Sequence, residues 1–292
     1  MLRFSSSDPI TKNNVKLLED NVKALHQAIS DKNPLLASLL LTRQFKNSVD
    51  VLMYVAQIGV LANEVKKHID PNASENHRFQ QLVDSFYTQL AFSGDENDFF
   101  NSKYSLVDQV IDYHTGIPVT ISIVFAAIAK QLGFNVSGVN FPGHFLIRFQ
   151  SQDHRLHFID PLTGKTIKWQ ELEKLYFSIV GETDEEQMPS ETLNMATTEE
   201  IIVRLLHNLK ASFIREENYH QALNAVDLLI EFCPDDPYER RDRGFLLHQL
   251  ECPQVAKADY QFFIKHCPQD PSAQLLKLQM RHWDSHVQVV LH

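Results

Sequence analysis

The first 232 residues contain no cysteine; the three in the chain are Cys233, Cys252 and Cys267. So small and late a set builds no disulfide framework, and it bars thiol chemistry from the whole region before Cys233. Glycine is scarce, at nine residues, which favours a helix-rich chain with few tight turns. Bases are outnumbered: 27 Lys and Arg face 37 Asp and Glu, for a net charge of −10. Non-specific nucleic-acid binding depends on Lys and Arg neutralising phosphates, so no direct nucleic-acid partner is expected. No apolar run approaches the roughly 18 residues of a membrane span. The opening MLRFSSSDPITKNN has no apolar signal-peptide core. These absences point away from a membrane and towards a cytoplasmic location.

What is present is enough for about two domains: 292 residues, 43% of them hydrophobic. Residues 1–12 are expected to be a flexible arm. From 13 to about 100 the chain has helical spacing. Val15, Leu18, Val22, Leu25 and Ile29 recur on one face, Pro34 opens a second helix, and Val49 to Lys67 makes a third. Asp70-Pro71-Asn72 breaks the pattern, and Phe79 to Phe92 gives one more amphipathic helix. Ser93 to Lys103 is expected as a polar loop. Its acids lack the spacing of an EF-hand calcium loop, so no metal is expected there.

The stretch from His114 to Asp160 has the strongest internal logic. Pro118 suits the first turn of a helix. From Val119 to Ala129 there is no charge, and only Thr120 and Ser122 are polar, so that helix should be buried on nearly all faces. Gly133 closes it. Val139, Phe141, Phe145, Ile147 and Phe149 alternate around a Pro-Gly turn, as half-buried strands do. A third strand ends at Asp160, Thr166 to Trp169 is a candidate fourth, and Gln170 to Val180 has helical spacing. His144 and Asp160 stand out as polar residues in this setting.

Residues 186–195 lie in an acid-rich stretch, with seven acids and no base between Lys174 and Arg204, and are expected to be a linker. Beyond it Cys233-Pro234-Asp235-Asp236-Pro237 recurs as Cys267-Pro268-Gln269-Asp270-Pro271, 34 residues later. Ala222 with Ala256, Leu229 with Phe263 and Ile230 with Ile264 share the offset, which is the tetratricopeptide (TPR) period. Gly244 fills the small slot of the second repeat where the first has Lys210. Two repeats and a capping helix account for 196–292.

A further pattern runs through Asn101, Ser102, Tyr104, Leu106, Val110, Gly116-Ile117-Pro118, Thr120, Ala129, Leu132-Gly133, Gly138-Val139, Pro142-Gly143-His144-Phe145 and Phe158-Ile159-Asp160-Pro161. It resembles the bacterial SirB-type family, which joins a divergent transglutaminase-like domain to TPR repeats. The resemblance implies an α+β fold: a transglutaminase-like (papain-like) core over 13–185, made of a helical part (13–100) and a core with a small antiparallel sheet (101–185), then an all-α TPR-like region. In transglutaminase-like cores a Cys at a helix N-terminus, a His on the next strand and an Asp on the following strand form a triad. The nucleophile position falls here at or near Pro118 to Thr120, where Thr120 is the nearest side chain with nucleophilic capacity and Ser122 is next; the other two positions match His144 and Asp160. A hydrogen bond between His144 and Asp160 is therefore expected.

No residue is assigned a catalytic role with the cysteine missing. Thr120 has two readings: a first-turn helix residue bonding the backbone, or a hydroxyl nucleophile, which would need a well-placed base and an oxyanion hole. A zinc site from His144, Asp160 and another His lacks any supporting H-x-x-x-H spacing. No cofactor and no metal is expected. The resemblance implies a non-enzymatic regulatory or interaction protein, holding a protein partner through the TPR-like region or the core cleft. Two alternatives stay open: a hydrolase or acyltransferase using Thr120 or Ser122 with His144 and Asp160, and small-ligand binding in the degenerate cleft. The sequence does not set the oligomeric state.

Overall fold

Helices come first because capping residues and prolines fall where helices can start. Helix α1 spans Pro9–Ser30. Helix α2 (Pro34–Phe45) begins under Asn33, whose side chain accepts from Leu36 N, and α3 (Val51–Lys66) begins under Asp50, which accepts from Met53 N. Ser74 caps α4 (Glu75–Asp84) in the same way, and that helix runs on through a wider π-helical turn, Ser85–Gln89. The computed structural model describes residues 9–95, 98, 100–181 and 187–287. Of the arm expected over 1–12, residues 1–8 lie outside the described part, and the remainder already belongs to α1.

The segment expected as a polar loop holds a short strand. Strand β1 (Ser93–Gly94) pairs in parallel with β2 (Thr115–Gly116), and Ser93 N donates to His114 O at 2.9 Å. A 3₁₀ turn (Ser102–Ser105) and α5 (Val107–Tyr113) lie between them. Then comes α6 (Pro118–Gln131), with Val119 to Phe125, Ile128 and Ala129 all buried, as a charge-free helix demands.

A four-stranded antiparallel sheet follows in the order β3 (Val136–Val139), β4 (Leu146–Gln150), β5 (Leu156–Ile159), β6 (Thr166–Ile167). The register sets Phe149 opposite His157 and Ile147 opposite Ile159, so these share a face. Phe79 of α4 stacks on Phe149 with ring centres 3.8 Å apart, and Phe125 of α6 meets Phe79 edge-on at 6.1 Å. The other face carries Val139, Leu146 and Phe158, which pack with Leu172 and Tyr176 of α7 (Trp169–Val180).

Met188 and Leu193 join that same cluster, 4% and 6% exposed. The described part of the stretch expected as a linker is therefore packed chain, tied down further where Ala196 N donates to Gly138 O on β3. Residue 186 of that stretch lies outside the described residues.

The chain divides into two units, Met1–Leu205 and Leu206–His292, and α8 (Thr198–Arg215) runs through the division. The second unit continues with α9 (Tyr219–Phe232), α10 (Pro237–Gln249), α11 (Pro253–His266) and α12 (Pro271–Val287). The 34-residue offset is structural. Cys233 N donates to Leu229 O at 2.7 Å and Cys267 N to Phe263 O at 2.8 Å. Asp236 caps α10 by accepting from Tyr238 N, and Asp270 accepts from Ser272 N, both at 2.8 Å. Ala222 and Ala256 are fully buried. A Cβ on Gly244 would come within 2.7 Å of the Tyr260 ring, so the small slot is real.

Candidate functional site

The N-terminus of α6 is where a nucleophile would stand. Thr120 is fully buried, and its hydroxyl is already engaged. Its Oγ1 accepts from Ile117 N at 3.0 Å and lies 2.8 Å from Tyr104 O and 3.0 Å from Ile117 O, either of which can take its one proton. Gly116 makes room for this: a Cβ there would sit 2.6 Å from Thr120 Oγ1. Asn101 supports the same junction from the other side, accepting from Lys103 N to start the 3₁₀ turn that presents the Tyr104 carbonyl. The Asn101–Tyr104–Gly116–Thr120 pattern is thus a lock between the 3₁₀ turn, β2 and α6. Ser122, 2% exposed, donates to Pro118 O at 2.7 Å. Both hydroxyls serve the backbone.

His144 is exposed. Its amide donates to Phe141 O at 3.0 Å, and Gly143 has φ +66. Phe141-Pro142-Gly143-His144 is therefore a type II turn, with proline at its second position and the positive φ at its third. Asp160 turns to its own loop: its Oδ1 accepts from Leu162 N at 2.8 Å and from Thr163 N at 2.9 Å. Its backbone closes the β5–β6 hairpin through Lys165 O and Gly164 N. Tyr87, from the π-helical turn, donates to Pro161 O at 2.8 Å. Burial first, and then the Asp160 carboxylate, push the Tyr87 phenol well above its ordinary range, which keeps it a neutral donor.

The expected His144–Asp160 hydrogen bond is absent, and this corrects the sequence expectation. The physical reason is local. A Pro-Gly turn sends His144 outward, while an Asx turn draws the carboxylate onto neighbouring amides. The structure thus does not bring Thr120, His144 and Asp160 together as a working set. The cysteines do not supply one either: Cys233, Cys252 and Cys267 are all free thiols in the repeat unit. Among the described residues no group of His, Cys, Asp or Glu is arranged to hold a metal ion.

Two features take on meaning only in the structure. The first is His157. Its Nε2 is buried with no hydrogen-bond partner among the described residues, beside a cavity of about 170 Å³ whose lining includes Asn76, Phe79, Gln80, Phe149 and Thr166. The second is a buried ion network in the repeats. Lys210, at the slot opposite in register to Gly244, reaches Glu239 at 2.8 and 2.9 Å and Asp242 at 2.7 Å. His207 Nε2 lies 3.0 Å from Glu239. Burial alone would raise the Glu239 carboxyl, but the bonds from His207 and Lys210 outweigh it and hold the group below the usual range. The 34-residue alignment carried a signal for this one: Glu239 stands where the first repeat has Leu205.

Helices before a small antiparallel sheet, with a helix–strand–strand junction at 118–160 and paired helices at a 34-residue period, define a transglutaminase-like domain followed by TPR helices. The transglutaminase-like superfamily model matches residues 53–207, and a tetratricopeptide repeat model matches 209–281. The chain is 36% identical over 236 residues to a UPF0162 protein of Vibrio cholerae, covering 81% of this chain and 87% of that one. It is 30% identical to Protein SirB1 of Salmonella typhimurium, covering 80% and 85%, and 29% identical to the UPF0162 protein YchA of Escherichia coli, with the same coverage. The chain belongs to this family of SirB1 and UPF0162 proteins. Among the described residues no helix is long and apolar enough to cross a membrane.

Proposed function

We propose that this protein works by binding rather than by catalysis, as a regulatory or interaction protein that holds a protein partner through its repeat helices. The observation that carries this is the state of Thr120: its hydroxyl is fully buried and spent on Ile117 and Tyr104, in a unit with no cysteine. A hydroxyl nucleophile needs access and a base in reach, and His144 is turned away on an exposed corner. TPR helix pairs provide surfaces suited to extended or helical peptides. A cytoplasmic location belongs to the same reading. The test is crosslinking of the full chain in cells, with partners identified by mass spectrometry. Crosslinks concentrated in 206–292 are expected. Crosslinks confined to 13–185 would move the binding surface to the transglutaminase-like unit and overturn this assignment.

A second reading has one observation in its favour, the unpaired His157 Nε2 facing a cavity with amide and hydroxyl groups on its rim. A buried polar atom without a partner costs about 1–3 kcal/mol, and a small molecule with a hydrogen-bonding edge would satisfy it. Soaking crystals with benzamide tests it; density on Phe149 within reach of His157 supports the reading, and none at high concentration removes it.

A further inference from the structure

Alternation along β5 turns His157 to the same face as Ile159, and the register sets it opposite Phe149 on β4. The two rings lie nearly parallel, 25° apart with centres separated by 5.7 Å, and Phe149 stacks in turn on Phe79 of α4. This face otherwise takes apolar residues: Ile147, Phe149 and Ile159 are all buried on it. His157 instead brings a polar edge, and its Nε2 is buried with no hydrogen-bond partner among the described residues. Beside it lies the cavity of about 170 Å³. An apolar cavity of about 150 Å³ holds one benzene ring, so this one has room for a single six-membered ring with a small substituent.

Among the described residues that line the cavity none is Asp, Glu, Lys or Arg. The charged groups near the lining residues in sequence are engaged elsewhere or face solvent. Glu75 accepts from Gln152 N at 2.7 Å, and the Arg78 guanidinium lies 5.9 Å from the centre of the Phe134 ring. Arg155 pairs with Asp153 at 3.0 Å, Asp160 accepts from the amides of its own turn, and Lys165 is exposed. Asp84 accepts from Gln80 Nε2 at 2.9 Å, which uses a donor of Gln80 and leaves its carbonyl oxygen as an acceptor. Asn76, one turn earlier on α4, offers both a donor and an acceptor. A charged ligand would find no opposite charge in this lining, and stripping it of water is costly. The Nε2 of a neutral imidazole is a donor in one tautomer and an acceptor in the other. An amide or lactam edge, which sets an N–H beside a C=O, satisfies either.

We propose that this cavity binds an uncharged six-membered ring carrying a carboxamide or lactam edge, the chemistry shared by nicotinamide and the pyrimidine bases. The ring enters beside Phe149, its edge bonds His157 Nε2, and the amides of Asn76 and Gln80 hold it at the rim. The inference rests on the second reading above, that the cavity takes a small molecule, and names the chemical class of that molecule.

The test is a ligand-detected NMR titration of the full chain at about pH 8, where an ordinary imidazole is neutral. Benzamide is compared with benzoate, benzamidine and toluene, which keep the ring and change the charge or remove the polar edge. Benzamide should bind at least about tenfold more tightly than each of them. Nicotinamide and uracil separate the exocyclic amide from the ring lactam, and at least one should bind as tightly as benzamide. In His157→Phe, which keeps a ring beside Phe149, benzamide should weaken at least about tenfold while toluene should not. Asn76→Ala with Gln80→Ala changes only exposed positions of α4; it should also weaken benzamide, and it carries the test if His157→Phe does not fold. Toluene or a charged analogue binding as tightly as benzamide, or weaker binding by both nicotinamide and uracil, overturns this inference and leaves the second reading standing. Unaltered benzamide binding in the variants places it outside the cavity and overturns both, as does no binding by any of the compounds.

Discussion

At the scale of single residues, the decisive question is what each polar group in the apolar unit is bonded to. Thr120 makes the clearest case. Thr120→Val removes the acceptor of Ile117 N and the donor to the backbone in a site with no water access. It should cost about 1–3 kcal/mol of stability in urea unfolding. Thr120→Ser keeps the bonds and should cost about half as much or less. His144 contrasts with it: on an exposed turn, His144→Ala should shift stability by less than about 0.5 kcal/mol. Glu239 adds a pH dependence. Its carboxyl is held below the usual range in the folded state, so its stabilisation is present above the unfolded value of about 4.3. It is lost as pH falls through the lower folded value. The melting temperature of the native protein should fall from about pH 5 downward. Glu239→Gln should be less stable at neutral pH, by about 1–3 kcal/mol because Lys210 keeps Asp242, and its slope in the acid range should be flatter.

At the scale of elements, the packing of helix pairs is set by small-against-large choices. Gly244→Ala would gain up to about 1 kcal/mol of helix propensity, but its Cβ meets the Tyr260 ring at 2.7 Å. Overpacking of this kind costs about 1–3 kcal/mol, so the net effect should be a loss. In a Tyr260→Val background the same change should become neutral or stabilising, and thermal unfolding of the four proteins in that cycle checks it. Elements of this sort were legible in advance because they depend on short-range signals. Pro118 and the charge-free run after it announced α6, and the repeated Cys-Pro pairs announced the ends of α9 and α11. The site was less legible. His144 and Asp160 were conspicuous for being polar, yet Pro142-Gly143 and Asp160-Pro161-Leu162-Thr163-Gly164 are turn sequences first. The turn geometry decided where the side chains went. The 187–195 segment misled in the opposite direction. Its neighbours' charge suggested a linker, and only Met188 and Leu193 carried the sign that it packs against Phe158 and Tyr176.

At the scale of the whole molecule, we propose that a transglutaminase-like unit without a cysteine and a pair of TPR repeats form a protein that binds. The central claim is the absence of chemistry at the α6 N-terminus, and the most direct measurement is turnover. Purified full-length protein is incubated with amide, ester and amine-donor substrates, beside Thr120→Ser, Thr120→Val and His144→Ala. The account predicts that all four release product at the rate of buffer alone. Product formation by the native protein that disappears in both Thr120→Val and His144→Ala would contradict it.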